Sequence, residues 1–98
     1  MAYLIRTYDK PDSAALRSAT REAHLAWLEP YLEQILAGGG FLGEDDKPTS
    51  GGLIILDTDS REQAERFAAD DPYARAGLFQ KVEIVRWRKV IFDRQRVT

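Results

Sequence analysis

The sequence contains no cysteine and only one histidine among its 98 residues. Without cysteine the chain can form no disulfide, no thiolate nucleophile and no cysteine-based zinc site. A single histidine is also a poor basis for a metal centre, because zinc sites draw on several nitrogen or sulfur ligands. We therefore expect no metal. The sequence also has no phosphate-binding glycine loop and no dinucleotide fingerprint, so no other cofactor is expected.

The sequence also lacks an excess of positive charge. Fourteen basic residues against sixteen acidic ones give a formal net charge of -2, so no global positive field would attract nucleic acid or an anionic membrane. The first residues, Met1 to Arg6, do not form a basic region followed by a long apolar run. Neither a signal peptide nor a membrane span is predicted there, and we expect a cytoplasmic protein.

The residues that are present are those of a folded protein, with 44% hydrophobic and 31% charged side chains. The length fits one domain over residues 1–98 with one core. Because a domain of this size buries a limited share of its surface, it often gains stability by association.

The first third of the chain predicts a strand and a long helix. Side chains from Ala2 to Tyr8 alternate between two faces, which is typical of a β-strand. Asp12 or Ser13 can cap the following helix through a side-chain oxygen. Apolar residues at three- and four-residue spacings then predict helix as far as about Ala37.

Proline and glycine interrupt this helical stretch. Pro30 lacks an N–H, so the helix should kink or split near Leu28 and Glu29. The run Gly38–Gly40 is expected to end the helix, and a second strand is predicted to begin at Phe41.

The second half predicts two more strands around a second helix. Residues 44–50 are polar and are expected to form a loop, and the unbroken apolar run Leu53–Leu56 predicts a strand covered on both faces. An amphipathic helix containing Phe67 should end at Asp71, since the residue before proline avoids the α region. The last strand is predicted from Lys81 to about Ile91.

The resulting order, βαββαβ, is typical of an α+β ferredoxin-like fold. Both helices cover one face of its antiparallel sheet, which leaves the other face open. A second copy packing sheet to sheet would bury that face, so we predict a homodimer.

His24 is the first candidate for chemistry. It lies one turn after Thr20 and one turn before Leu28, on the mainly apolar side of the helix. An imidazole can take or give a proton near neutral pH, which suits a general base. The alternative is a packing residue that hydrogen-bonds to a carbonyl group or to water, and the residues alone favour that alternative.

Asp71 is the second candidate. With Pro72 after it and Gly77 beyond, it can cap a short turn of helix. A capping carboxylate can still direct one oxygen into a cleft, so capping and catalysis are compatible. Capping alone is the commoner case.

Four segments of the sequence together resemble one protein family. They are the stretch Ala23–Leu28, the strand Gly52–Leu56, the segment from Asp71-Pro72-Tyr73 to Gly77-Leu78-Phe79, and the ending from Val82 to Val90. The residues of these segments and their order along the chain resemble those of the YciI (YCII-related domain) family. Together the segments cover nearly the whole chain. Two departures bear on the shape of the pocket: Gly43 is followed by Glu44 where many relatives resemble Gly-Pro, and Pro30 stands within the helix.

The resemblance implies a dimeric α/β-barrel-type assembly of ferredoxin-like subunits, each with a cleft containing a histidine and an aspartate. These positions correspond to His24 and Asp71. The family includes chloromuconolactone dehalogenases, and its fold is similar to that of muconolactone isomerases. The resemblance therefore implies a cofactor-free lyase, isomerase or dehalogenase that removes a proton from a small cyclic lactone or carbonyl compound.

Four other residues are candidates for the pocket wall. Arg6 could hold an anionic group of a ligand, and Tyr73, Leu78 and Phe79 lie next to Asp71 in the sequence. Each has a plain structural alternative: a solvated strand arginine or a core side chain. A dimeric module that binds a small ligand or a partner without turnover remains the alternative function.

Overall fold

The computed structural model describes residues 1–98 and contains four long strands, three α-helices and one 3₁₀ helix. In chain order the elements are β1 (Ala2–Asp9), α1 (Ala14–Leu28), the 3₁₀ helix (Glu29–Gln34), β2 (Ile35–Leu42), β3 (Pro48–Leu56), α2 (Arg61–Asp70), α3 (Pro72–Arg75) and β4 (Phe79–Trp87). A small hairpin of β5 (Ile91–Phe92) and β6 (Gln95–Arg96) follows. None of the helices combines the length and the apolar character needed to cross a membrane.

The four long strands form one antiparallel sheet in the order β2-β3-β1-β4. In its centre Ile5 of β1 lies opposite Ile54 of β3 on one side and Ile84 of β4 on the other. This strand order and the βαββαβ sequence of elements confirm the predicted α+β, ferredoxin-like fold.

The core lies between one face of this sheet and the helices. Tyr3, Ile5 and Leu56 of the sheet pack there against Ala64, Phe67 and Ala68 of α2. The side chains of α1, the 3₁₀ helix and the strands that pack at the edge of this cluster are Trp27, Leu28, Tyr31, Ile35, Ile54 and Ile84. Burial of these apolar groups is the main force that holds the helices on the sheet.

The opposite face of the sheet has no helix over it. Because strand side chains alternate, Leu4 lies there, level with Ile55 of β3 and Val85 of β4. Val85 is 52% exposed, whereas Ile55 is 9% exposed. This open face therefore keeps an apolar surface in contact with solvent in the isolated chain.

The predicted extent of the first helix is wrong. α1 ends at Leu28, the 3₁₀ helix carries the chain through Pro30, and β2 starts at Ile35 rather than after the glycines. The interruption at Pro30 was predicted, but the return to helix up to Ala37 does not occur. Ile35 and Ala37 instead pair with β3, and this long-range pairing overrides the local helical pattern.

The three glycines predicted to end a helix lie inside a strand. Gly38, Gly39 and Gly40 pair with Ile54, Leu53 and Gly52 of β3. Glycine is unfavourable inside a strand, and it often marks a close approach of backbone or ligand. The run leaves three consecutive residues of the edge strand β2 without side chains.

Three smaller boundaries also differ from the predictions. Ser13 occupies the N-cap position of α1 but its hydroxyl donates to the carbonyl of Lys10 at 2.6 Å, so neither it nor Asp12 caps the helix. β3 begins at Pro48, inside the predicted loop. β4 ends at Trp87, and the next residues turn into the terminal hairpin.

Candidate active site

A cavity of about 590 Å³ lies between α1, the 3₁₀ helix and the β2 edge of the sheet. Apolar side chains and the glycines of β2 form most of its wall. Its charged or titratable lining residues are Arg17, Arg21, His24, Asp71 and Tyr73. Pockets that bind small molecules commonly have this composition of an apolar wall with a few convergent polar groups.

His24 and Asp71 meet at this cavity. Nδ1 of His24, on α1, lies 2.9 Å from Oδ1 of Asp71, at the start of α3. The two side chains are 14% and 6% exposed, so the contact is largely shielded from water. Residues 47 positions apart in the sequence are thereby held at hydrogen-bond distance.

Asp71 is also the N-cap of α3. The same Oδ1 atom accepts a hydrogen bond from the backbone N–H of Tyr73 at 2.9 Å, with Pro72 in the first turn. Gly77 ends the segment with a φ of 79°, a conformation that suits glycine. The cap therefore fixes the carboxylate in the position from which it contacts His24.

Tyr73 holds the imidazole from one side. The two ring centroids are 4.2 Å apart with an interplanar angle of 20°, so the rings are stacked. The guanidinium of Arg17 lies 4.6 Å from the centre of the same phenol ring. Arg17 and His24 are seven residues apart on α1, or about 10 Å along the helix axis, so we place the Tyr73 ring between them.

Asp9 in turn fixes Arg17. The Nε and Nη2 atoms of Arg17 lie 2.6 and 3.1 Å from the two carboxylate oxygens of Asp9. The Arg17 and Asp9 side chains are 15% and 8% exposed. This two-pronged geometry is the strong form of an arginine–carboxylate pair, and it anchors the stack of Arg17, Tyr73 and His24 to the end of β1.

The charges around Tyr73 act on its ionisation in opposite directions. Burial raises the pKa of the Tyr73 hydroxyl, while the positive charges of Arg17 and Arg21 act to lower it. The hydrogen bond to Asp9 raises the pKa of Arg17. Tyr73 is therefore a neutral phenol at physiological pH, and Arg17 is a permanent cation.

Two of the four predicted pocket residues line the cavity. Tyr73 and Phe79 do so, whereas the Leu78 side chain is fully buried and is absent from the wall. Arg6 is also absent from it. Its guanidinium lies 4.0 Å from the ring centres of both Tyr8 and Phe41 and donates to the carbonyl of Ser50 at 3.1 Å.

Sequence reasoning missed the two arginines of the cavity. Arg17, Arg21 and His24 stand at intervals of four and three residues on α1, the spacing that brings side chains to one helix face. That spacing was the available signal. It did not tell which helix face would border a cavity, because the position of the sheet edge depends on long-range pairing.

The arrangement fits proton transfer better than metal binding. No group of three or more histidine or acidic residues is placed to hold a metal ion. With Nδ1 of His24 committed to Asp71, Nε2 is the nitrogen left to take a proton. A carboxylate on the far nitrogen sets the tautomer and stabilises the imidazolium that results.

Together the fold and the site define a ferredoxin-like α+β protein that holds a histidine–aspartate contact in an apolar cavity. A family model described as the YCII-related domain matches residues 1–88. The chain belongs to this family, as its sequence segments indicated.

Several relatives have related sequences or structures. Protein YciI from Escherichia coli is 32% identical, with 92% of this chain and 99% of that protein covered. The solved 5-chloro-2-hydroxyhydroquinone dehydrochlorinase from Burkholderia phenoliruptrix, in complex with 2,5-dihydroxybenzoquinone, is 37% identical, with a TM-score of 0.83 over 90% of this chain and 94% of that one. A solved structure from Bacteroides thetaiotaomicron, assigned as an antibiotic biosynthesis monooxygenase, is 15% identical, with a TM-score of 0.56 over 95% of this chain and 91% of that one. This likeness shows the fold alone.

Proposed function

We propose that this protein is a cofactor-free enzyme that removes a proton from a small cyclic hydroxylated or carbonyl compound and thereby drives elimination or isomerisation. His24 is the general base and Asp71 is the group that orients it. The single observation that carries the proposal is the 2.9 Å contact between His24 Nδ1 and Asp71 Oδ1 beside a cavity large enough for such a substrate.

Three contacts hold the imidazole ready for this role. Asp71 accepts from Nδ1, Tyr73 stacks on the ring, and Trp27 lies on α1 with its ring centre 6.1 Å from that of His24. A base held in one orientation avoids the entropy loss of finding that orientation during reaction. The family relationship to a dehydrochlorinase supports the same class of chemistry.

For an elimination, the bonds and charges balance without a cofactor. Nε2 of His24 takes the proton from the substrate, the freed electron pair forms the new double bond, and the leaving group departs with its own bonding pair. When the leaving group is chloride, the net products are the unsaturated compound, chloride and one proton. The imidazolium then returns its proton to water, and Asp71 stabilises the charge in the interval.

The test is a turnover screen with chlorinated hydroxyhydroquinones and muconolactone-like lactones, followed by chloride release or by absorbance. We expect His24→Gln to lower the rate by about 100-fold or more, as loss of a positioned general base does. Glu22→Gln introduces the same side chain at an exposed position of the same helix, and we expect it to retain the rate. Turnover that is unchanged in His24→Gln rejects the proposed base.

A binding measurement separates the enzyme from the alternative, a module that binds a small ligand without converting it. 2,5-Dihydroxybenzoquinone is a suitable probe, because a related enzyme of this fold was solved with it. Binding of the probe at the cavity together with no turnover across the screen would favour the binding module.

We also propose that two copies pack through the open face of the sheet. Leu4, Leu53, Ile55, Val85 and Trp87 place apolar groups there, and burial against a second sheet would remove them from water. Light scattering should give the mass of a dimer at micromolar concentration. Val85→Glu places a charge on this face, on the edge strand β4, and should give a monomer, whereas Val97→Glu, at a similarly exposed position near the C-terminus, should remain dimeric. A wild-type monomer would contradict the proposal.

A further inference from the structure

The cavity contains one cation that no protein group neutralises. Arg17 is paired with Asp9, and Asp71 is occupied by His24 and by the backbone N–H of Tyr73. Arg21 lines the same cavity, and its side chain takes part in no hydrogen bond, ion pair or contact with an aromatic ring. Its guanidinium is therefore available to a ligand.

The composition of the rest of the wall indicates which kind of ligand Arg21 would bind. Asp71 is the only acidic residue of the lining, and most other lining residues are apolar or glycine. Arg21 is itself exposed to solvent, but the apolar wall lowers the effective dielectric on the cavity side, where an anion is attracted more strongly than in open water. The cavity is thus complementary to a compact, largely apolar molecule that carries negative charge at one end.

We propose that Arg21 binds an anionic oxygen of the substrate, so that the substrate class is a small cyclic phenolate, enolate or carboxylate. This inference rests on the proposed function, since it takes the cavity as the substrate site. It adds a specificity-determining residue that His24 and Asp71 do not supply.

The spacing on α1 supports a direct role in the reaction. Arg21 and His24 are three residues apart, which places their Cβ atoms about 5–6 Å from each other on one helix face. A single six-membered ring with an oxygen substituent can bridge the two side chains. When His24 removes a proton, negative charge grows on the substrate oxygens, and a guanidinium in contact with those oxygens lowers the energy of that charge.

The inference predicts a preference between two binding probes of similar shape. 2,5-Dihydroxybenzoquinone is anionic at neutral pH because each hydroxyl is conjugated to a carbonyl, whereas 2,5-dimethoxybenzoquinone is neutral. We expect the wild-type protein to bind the anion more tightly, and we expect added salt to reduce that preference. The affinities can be measured by calorimetry and by the shift of the single set of imidazole NMR signals from His24.

Two substitutions and a control test the residue itself. Arg21→Gln should weaken binding of the anionic probe about tenfold, the effect of losing one charge-assisted hydrogen bond, and should change binding of the neutral probe less than about twofold. Arg21→Lys should fall between these values, because lysine keeps the charge but not the planar fork. Arg66→Gln removes the same charge from an exposed position on α2 outside the cavity and should bind both probes like the wild type.

Failure of this inference differs from failure of the proposed function. Equal affinity of the wild type for the two probes, or an equal loss for both in Arg21→Gln, overturns the role of Arg21 even when His24→Gln abolishes turnover. Unchanged turnover in His24→Gln rejects the base instead, while the preference for the anion is still measured by binding.

Discussion

Replacement of Asp71 separates the two roles that one carboxylate performs. Its Oδ1 atom accepts both from Nδ1 of His24 and from the backbone N–H of Tyr73, each at 2.9 Å. The first contact serves the proposed chemistry and the second caps α3. Asp71→Asn and Asp71→Ala should affect these roles unequally, because asparagine caps helices about as well as aspartate does and alanine does not.

The magnitudes follow from these two contacts. In Asp71→Ala the lost cap costs about 1 kcal/mol, and a largely buried imidazole N–H without its acceptor costs about 1–3 kcal/mol more. We therefore expect a loss of about 2–4 kcal/mol in the free energy of unfolding. Asp71→Asn keeps the cap and an acceptor oxygen, so its loss should stay below about 1.5 kcal/mol, the usual net value of one hydrogen bond.

Asp71→Asn should lower the turnover rate strongly although it lowers the stability only slightly. An amide carries no negative charge and can offer its N–H as well as its oxygen, so Asp71→Asn weakens the preference for one imidazole tautomer and no longer stabilises the imidazolium by charge. We expect a rate loss of about 100-fold or more from this change, although the fold is nearly intact. Urea denaturation followed by tryptophan fluorescence gives the stability, and nitrogen NMR of the imidazole gives the tautomer.

Asp70→Asn is the matched control. Asp70 is the neighbouring residue, and its carboxylate lies on the surface, 3.0 Å from Nη2 of Arg75. We expect it to change stability by less than about 1 kcal/mol and to leave turnover and the tautomer as they are. An Asp71→Asn protein with the wild-type tautomer and rate would refute the reasoning and leave Asp71 as a cap alone.

Three further predictions concern the frame around the site. Gly51→Ala should destabilise the protein by more than about 2 kcal/mol, because φ there is 113° and an added Cβ would collide with a carbonyl of β1; Gly39→Ala, where nothing lies within 4 Å, should be near neutral in the same urea titration. Arg17→Gln should cost about 3 kcal/mol by the same measurement, since it leaves the 8% exposed carboxylate of Asp9 without its partner, and a second change, Asp9→Asn, should recover part of the loss. Burial raises the pKa of Tyr73, so the unfolded chain loses this proton at lower pH than the folded one, and stability should fall as pH rises above about 10; a Tyr73→Phe protein that loses stability equally over that range would contradict this assignment.

The fold was predictable wherever the local sequence pattern favours one type of element. Alternation in residues 2–8, the apolar run Leu53–Leu56 and the spacing around Phe67 each identify their element correctly. The stretch between Glu29 and Leu42 was not predictable in this way. Its sequence continues a helical pattern, and only pairing with β3, which lies later in the chain, makes Ile35 and the residues after it a strand.

The residues of the site also fall into those that the sequence could identify and those that depend on long-range pairing. His24 and Asp71 could be named from residue type and from the family resemblance, and the short helix after Asp71 from its Asp-Pro start. Arg17 and Arg21 could not be assigned to the cavity, because their helix face becomes a cavity wall only through the position of β2. Arg6, the predicted anion-binding residue, is instead held between two aromatic rings on β1 and β2.

The glycines of β2 explain both why the end of the first helix was predicted incorrectly and why the cavity is open. The run Gly38–Gly40 indicated the end of a helix because glycine is a poor helix former, yet the same absence of side chains is what keeps the space beneath α1 open. A Cβ at Gly40 would meet only one atom within 4 Å, the Gly51 carbonyl oxygen at 3.8 Å. A branched residue there would favour the strand and extend into the cavity. The sequence therefore forgoes strand stability at this edge, and the space it leaves is the space that a substrate would occupy beside His24 and Arg21.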